Sequence, residues 1–177
     1  TGGKPGKGIF SLNFTGEKLQ VEQSWDGLLN PSYVQPVGHC IYAVEELEEK
    51  GAVVSLCPGE PTYRRYVVPG SGLCHISACG SFLYASGYSG GTLTGLHRET
   101  GAVCCFLEHT GKGQDPIRQE KAHIHSAQPT ADGRHLFVAD LGLDKLFQYD
   151  IGGAGELKLH AAQPWVQVRP GQGPRHF

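Results

Sequence analysis

No stretch of this 177-residue chain stays apolar for the ~20 residues a membrane-crossing helix needs, and no secretory leader pattern opens it. No basic run stands out either. Fifteen Lys and Arg face 17 Asp and Glu, a net charge of -2, which gives nothing to neutralise a phosphate backbone. The expected partners therefore include no nucleic acid and no membrane. A phosphate-binding P-loop, a dinucleotide fingerprint and a Gly-x-Ser-x-Gly elbow are all missing. Gly2-Gly3-Lys4 and Gly111-Lys112-Gly113 resemble phosphate cradles only until the absent following helix is considered. The six cysteines (Cys40, Cys57, Cys74, Cys79, Cys104, Cys105) lack paired metal-ligand spacing. All six read as reduced, partly buried thiols, and the expected location is cytoplasmic. The chain opens at Thr1 without methionine and closes at Gly173-Pro174-Arg175-His176-Phe177 in mid-pattern, so it is expected to be part of something longer.

Helical periodicity is also missing, and what fills the chain instead is short alternating strands punctuated by 26 glycines and 11 prolines. One stretch sets the grammar. Ala122 to Ser126 reads as a strand, Asp132-Gly133 as a turn, His135 to Ala139 as a second strand, and Asp140-Leu141-Gly142 as a tight exit. Leu73 to Ser77 with Gly80 and Phe82 to Ser86 repeats it, as does Pro31 to Val34 with Gly38 and Cys40 to Val44. From Gly38 to Gly80 is 42 positions and from Gly80 to Gly133 is 53. Four-stranded units at such intervals signal a β-propeller. The predicted architecture is all-β, with four-stranded antiparallel blades and about half of a ring in this chain. Residues 1–27 supply the closing strands of a blade, 28–70 a blade, 71–121 a blade plus a long loop, 122–170 a blade, and 171–177 the start of the next. Half a ring has two open edges, which the missing half or a second copy is expected to pair. Glu45 to Lys50 reads as a solvated turn.

His75, His125 and Arg175-His176 fall at matching places, on the innermost strand of successive units beside the expected channel. Imidazoles and a guanidinium around one opening suit an anionic ligand. The inner strand of the second unit reads as shortened, five residues from His75 to Gly80 against eight from His125 to Gly133. His39, His97, His109, His135 and His160 read as surface residues. His123-x-His125 is not expected to bind a metal, since no carboxylate or cysteine completes a set. No metal and no cofactor is expected elsewhere.

Arg118-Gln119-Glu120-Lys121-Ala122-His123-Ile124-His125-Ser126 resembles the signature of the lactonase family of seven-bladed propellers, which includes the cycloisomerase-type 6-phosphogluconolactonases. Asp140-Leu141-Gly142-Leu143-Asp144-Lys145, Gly171-Gln172-Gly173-Pro174-Arg175-His176-Phe177, Asn30-Pro31-Ser32-Tyr33 and Tyr42-Ala43-Val44-Glu45-Glu46 are similar to further family motifs. Glu45 stands where the family usually has Asn. The resemblance implies hydrolysis of a small anionic sugar lactone, 6-phosphogluconolactone, in the pentose phosphate pathway. It implies His125 as general base and Arg175 as anion or oxyanion binder, with His75, His176, Glu46 and Arg118 contacting substrate. It also implies that further site residues come from the remainder of the ring. Two other readings stand beside it: a cyclase that forms a lactone from a carboxylated diene, and a non-catalytic interaction platform. A platform would have no reason to place His and Arg at channel positions unit after unit.

Overall fold

A computed structural model describes residues 8–177, so Gly2-Gly3-Lys4 lies outside the described residues. Among these every regular element is a strand, fifteen in all. β1 (Ile9–Phe14) and β2 (Leu19–Trp25) form a hairpin. β3 (Pro31–Val37), β4 (Cys40–Glu45), β5 (Gly51–Leu56) and β6 (Arg64–Val68) make the first complete sheet. β7 (Leu73–Cys79), β8 (Phe82–Gly87), β9 (Thr92–His97) and β10 (Val103–Glu108) make the second. β11 (Ile124–Pro129), β12 (His135–Asp140) and β13 (Lys145–Ile151) begin the third. Its outer position is shared by β14 (Leu157–Leu159) and β15 (Trp165–Gln167), which pair with opposite ends of β13. Every pairing is antiparallel and, apart from β15 on β13, joins strands consecutive in the chain, as in a propeller. No helix is present among the described residues that could cross a membrane.

Alternation along the middle strands builds the core. Tyr42 and Val44 of β4 meet Leu83 and Ala85 of β8 in one inter-sheet cluster. Ala43 points the other way, to Trp25 and Leu28 behind the hairpin. Tyr84 of β8 likewise turns from its neighbours into the cluster with Leu136 and Val138 of β12. Each middle strand is thus apolar on both faces, because a sheet lies on each side of it. The turns joining the two inner strands put Gly38, Gly80 and Gly133 at φ of 61°, 56° and 68°, a region that glycine enters at no steric cost.

Three expectations are corrected. Antiparallel pairing of Ile41 with Leu56 places Cys40 opposite Cys57, with Cα atoms 4.2 Å apart, and the two form a disulfide; Cys74, Cys79, Cys104 and Cys105 remain free. β7 is not shortened: it has 7 residues against 6 in β11. The shorter interval comes from the connection, only Gly80 and Ser81 between β7 and β8, against residues 130–134 between β11 and β12. Glu45 is fully buried rather than part of a solvated turn. Its Oε1 accepts from the Leu29 amide at 2.7 Å and pairs with Arg65 at 2.8 Å, tying the entry of β3 to β6.

Leu83, with no exposed surface in the cluster between the first and second sheets, should cost about 2–5 kcal/mol when cut to Ala. Val103, 45% exposed on an outer strand, should cost under about 0.5 kcal/mol. Urea unfolding of the two variants checks the contrast, and equal losses would contradict the inter-sheet core.

Candidate functional site

In all three complete sheets the register between the innermost strand and its partner slips once. Pro31 pairs with Glu45 and Tyr33 with Val44; Leu73 pairs with Gly87 and His75 with Ser86; Ile124 pairs with Asp140 and Ser126 with Ala139. Ser32, Cys74 and His125 are the skipped residues. Each is the extra residue of a β-bulge, a device that re-aims a side chain. All three line one cavity of about 360 Å3, together with Arg175, whose place in Pro174-Arg175-His176 matches that of Ser32 in Pro31-Ser32-Tyr33.

In the first two sheets the position after the second strand adds to the rim. Glu46 and Tyr88 donate their backbone N–H groups to Asn30 and Gly72, just ahead of the inner strands, and both line the cavity. Arg118, Tyr33 and His176 complete the lining.

The bulge corrects one sequence equivalence. His75 matches Ser126, not His125; the residue matching His125 is Cys74. Cys74 therefore reaches the cavity, while His75 sits 1% exposed behind it, its ring 4.5 Å from that of Tyr33. His75 Nδ1 accepts from the Ala127 amide at 3.4 Å. It borders a second, smaller space of about 220 Å3 with His176. So five of the six predicted site residues, His125, Arg175, His176, Glu46 and Arg118, share one cavity, and His75 stands outside it.

The same bulge separates His123 from His125, although residues two apart on a regular strand would share a face. The His123 ring stacks on Tyr88 with centroids 4.2 Å apart, and its Nδ1–H donates to the Tyr88 carbonyl at 2.9 Å. His109 is also not a surface residue. Its side chain is 6% exposed, with Nδ1 2.7 Å from Asp140 Oδ2 and Nε2 2.7 Å from the Tyr149 hydroxyl.

His125 is buried at 6% exposure, and its Nδ1 is buried without a hydrogen-bond partner among the described residues. Its Nε2 is thus the nitrogen left for a ligand. No carboxylate fixes its tautomer, so the ring can offer the cavity a lone pair or an N–H as the ligand demands. Burial first, then repulsion from Arg175 and His176, lowers its pKa from 6.5 to about 4. His75 is lowered to about 4 as well, by burial and then by His176 and His125. Both rings are neutral at neutral pH. The Cys74 thiol is pushed up to about 12, mainly by burial. It is therefore no nucleophile at neutral pH.

Sequence reasoning missed the residues that hold Arg175. The Asp144 carboxylate, 2% exposed, accepts from the Gly171 amide at 2.7 Å and the Gly173 amide at 2.8 Å. It also accepts from Gln119 Nε2 at 2.8 Å, and Gln119 Oε1 in turn accepts from the amides of Gln114 and Asp115. Ser126 Oγ donates to the Arg175 carbonyl at 2.7 Å. The signal lay in the motifs themselves: Gln119 beside Arg118, and Asp144 closing the Asp140-to-Lys145 turn in a left-handed conformation (φ 54°).

The family model for the lactonases described as 7-bladed β-propellers matches residues 1–177. The chain belongs to this lactonase family. A 6-phosphogluconolactonase of Formosa agariphila is 30% identical over 193 residues, covering 98% of this chain and 54% of that protein. A 6-phosphogluconolactonase of Bacillus subtilis is 30% identical over 188 residues, covering 97% and 52%. A solved structure from Bacteroides fragilis superimposes with a TM-score of 0.83 at 27% identity, over 99% of this chain and 55% of that one. The chain spans about half the length of the curated relatives it matches. The chain thus has the predicted all-β, half-ring architecture.

Two outcomes test this geometry. His75 and His125 are neutral when folded, while an unfolded histidine binds protons below about 6.5. Their contribution to stability is therefore complete above pH 6.5 and is lost as pH falls through about 4. Denaturant midpoints of His75→Gln and His125→Gln should depend less on pH across that window than those of the unsubstituted protein. Separately, Asp144→Ala should release the Gly171 and Gly173 amides and weaken binding of inorganic phosphate at least about tenfold while far-UV circular dichroism keeps its β signature; unchanged affinity would contradict the anchoring role.

Proposed function

We propose that the whole protein hydrolyses a sugar lactone, 6-phosphogluconolactone to 6-phosphogluconate. The observation that carries this reading is a neutral imidazole, His125, sharing one cavity with the guanidiniums of Arg118 and Arg175. Two relatives at 30% identity bear the name of that activity, over about half their length. His125 Nε2 takes a proton from water as the water oxygen attacks the lactone carbonyl carbon. Arg175 meets negative charge, either the developing oxyanion or the phosphate tail, and Arg118 stands beside it as a second cation. The ring C–O bond then breaks, and the proton held on His125 passes to the departing alkoxide, leaving the hydroxy acid. A positioned base supplies ~10²–10⁴-fold and an oxyanion donor ~10²–10³-fold, which suits an activated ester. The mechanism needs no metal, because proton and charge are both handled by side chains.

A free base of pKa about 4 is unprotonated at neutral pH but weak. An anion beside Arg175 offsets the repulsion that lowers it, so substrate strengthens the base it needs. His176, with its ring centroid 4.9 Å from that of His125, and Glu46 on the rim are proposed to contact the sugar. The proposed location is the cytoplasm, where phosphorylated sugars are made. The Cys40–Cys57 bond stands against it, since such bonds persist mainly in oxidising compartments. The remaining half of the ring, or a second copy, is proposed to cover the open hairpin face, where Phe14, Leu19 and Val21 are each more than 60% exposed.

In the full-length enzyme His125→Ala should lower kcat at least ~10²-fold. Arg175→Ala should raise KM for the phosphorylated lactone more than for gluconolactone if it grips the tail, or lower kcat on both alike if it serves the oxyanion. Near-normal turnover by both variants would overturn the reading.

A further inference from the structure

The third sheet carries a side-chain cluster that the cavity does not use. His135 opens β12 and pairs directly with Asp150 near the end of β13. His160 follows β14, its backbone N–H held by the Gln148 carbonyl at 2.9 Å. The two imidazoles converge on one atom. His135 Nδ1 is 2.9 Å and His160 Nδ1 2.8 Å from Asp150 Oδ1, and the rings stand nearly perpendicular at 80° with centroids 5.3 Å apart. One donor atom from each residue lies within 4.8 Å of the others. All three side chains are partly open to solvent, at 27%, 42% and 28% exposure.

We propose that His135, Asp150 and His160 form a binding site for a divalent transition-metal ion of the zinc class, at the end of the third sheet remote from the cavity. Two imidazoles and one carboxylate are a borderline donor set, which favours zinc and its neighbours over magnesium or calcium, whose preference is for oxygen alone. Zinc bonds of about 2.0–2.2 Å at tetrahedral angles put neighbouring donors about 3.3 Å apart. The two nitrogen–oxygen distances need to lengthen by only about half an ångström around an ion that replaces the two N–H groups, and the two nitrogens lie within 4.8 Å of each other. A neutral imidazole meets that demand by shifting its proton from Nδ1 to Nε2, with no proton released. Two of the three ligands are cross-strand neighbours on paired strands with a further strand on each side, so their backbones are fixed before the ion arrives. Solvent exposure leaves the fourth position to water. The site is distinct from the cavity: β11 pairs its His125 end with Asp140 and its Pro129 end with Leu136, so His135 lies at the opposite end of the blade.

One rival cluster exists among the described residues, His39 with Cys40 and Cys57, but the disulfide there leaves no thiolate to bind. The test is therefore run on oxidised full-length protein. Calorimetric titration with Zn2+, and with Co2+ as a spectroscopic probe, should show an ion bound that is not displaced by excess Mg2+. His135→Ala, His160→Ala and Asp150→Asn should each weaken it at least about tenfold, since even loss of an outer partner of a metal ligand costs 10–100-fold. His39→Ala should leave it unchanged. In the unsubstituted protein, Zn2+ should shift the imidazole NMR signals of His135 and His160, a readout that does not depend on any variant folding. Unmoved signals for these two residues at saturating Zn2+, binding lost through His39→Ala, or displacement by Mg2+ would each overturn the proposal.

Discussion

Each innermost strand of the three complete sheets carries one residue more than its partner can pair, and the rest of the site follows from where that residue goes. Relieved of a cross-strand neighbour, Ser32, Cys74 and His125 face the cavity instead of the sheet. The first two also bond to the next sheet along. Ser32 Oγ donates to the Leu73 carbonyl at 3.0 Å, and the Cys74 thiol lies 3.3 Å from the His125 carbonyl. The bulge thus does two things: it aims one side chain per sheet at a shared space, and it laces neighbouring inner strands together where backbone pairing is absent. The apolar side chains packed between the sheets set spacing but not register.

The loop carrying Arg118 and the segment carrying Arg175 have no strand of their own to hold them. A single buried carboxylate compensates. Asp144 gathers amides from Gly171 and Gly173 and the side-chain amide of Gln119, so the two guanidinium-bearing segments share one anchor. A buried carboxylate is costly unless it is fully hydrogen-bonded, and here the donors it needs belong to the segments it must fix. Polar satisfaction and site geometry are one arrangement.

That physics explains what could be read from residues alone. Turn glycines at 38, 80 and 133 need positive φ, so their spacing displayed the repeat directly. Middle strands buried on both faces gave continuous apolar runs. A bulge leaves no such trace, because any residue can occupy it and only pairing reveals the skip; hence residue spacing sets His75 level with His125, whose counterpart in the sheet is Cys74. Pairing register likewise hid the approach of Cys40 to Cys57, 17 residues apart in sequence. Glu45 and His109 look like surface residues because their partners, Arg65 on one side, Asp140 and Tyr149 on the other, come from 20 to 40 residues away.

One consequence of the bulge is electrostatic. The skipped positions in successive sheets converge, so the groups placed there must tolerate one another. A serine, a thiol held protonated by burial, an imidazole held neutral and an arginine make a set with one permanent charge. The neutrality of His125 comes first from burial and is reinforced by Arg175, so only the second part weakens when that charge is answered. An anion that neutralises Arg175 removes part of the penalty on protonating His125, by the same Coulomb term with its sign reversed. Affinity for negative charge and proton affinity at the imidazole are therefore coupled by geometry, and neither can be tuned by substitution without moving the other.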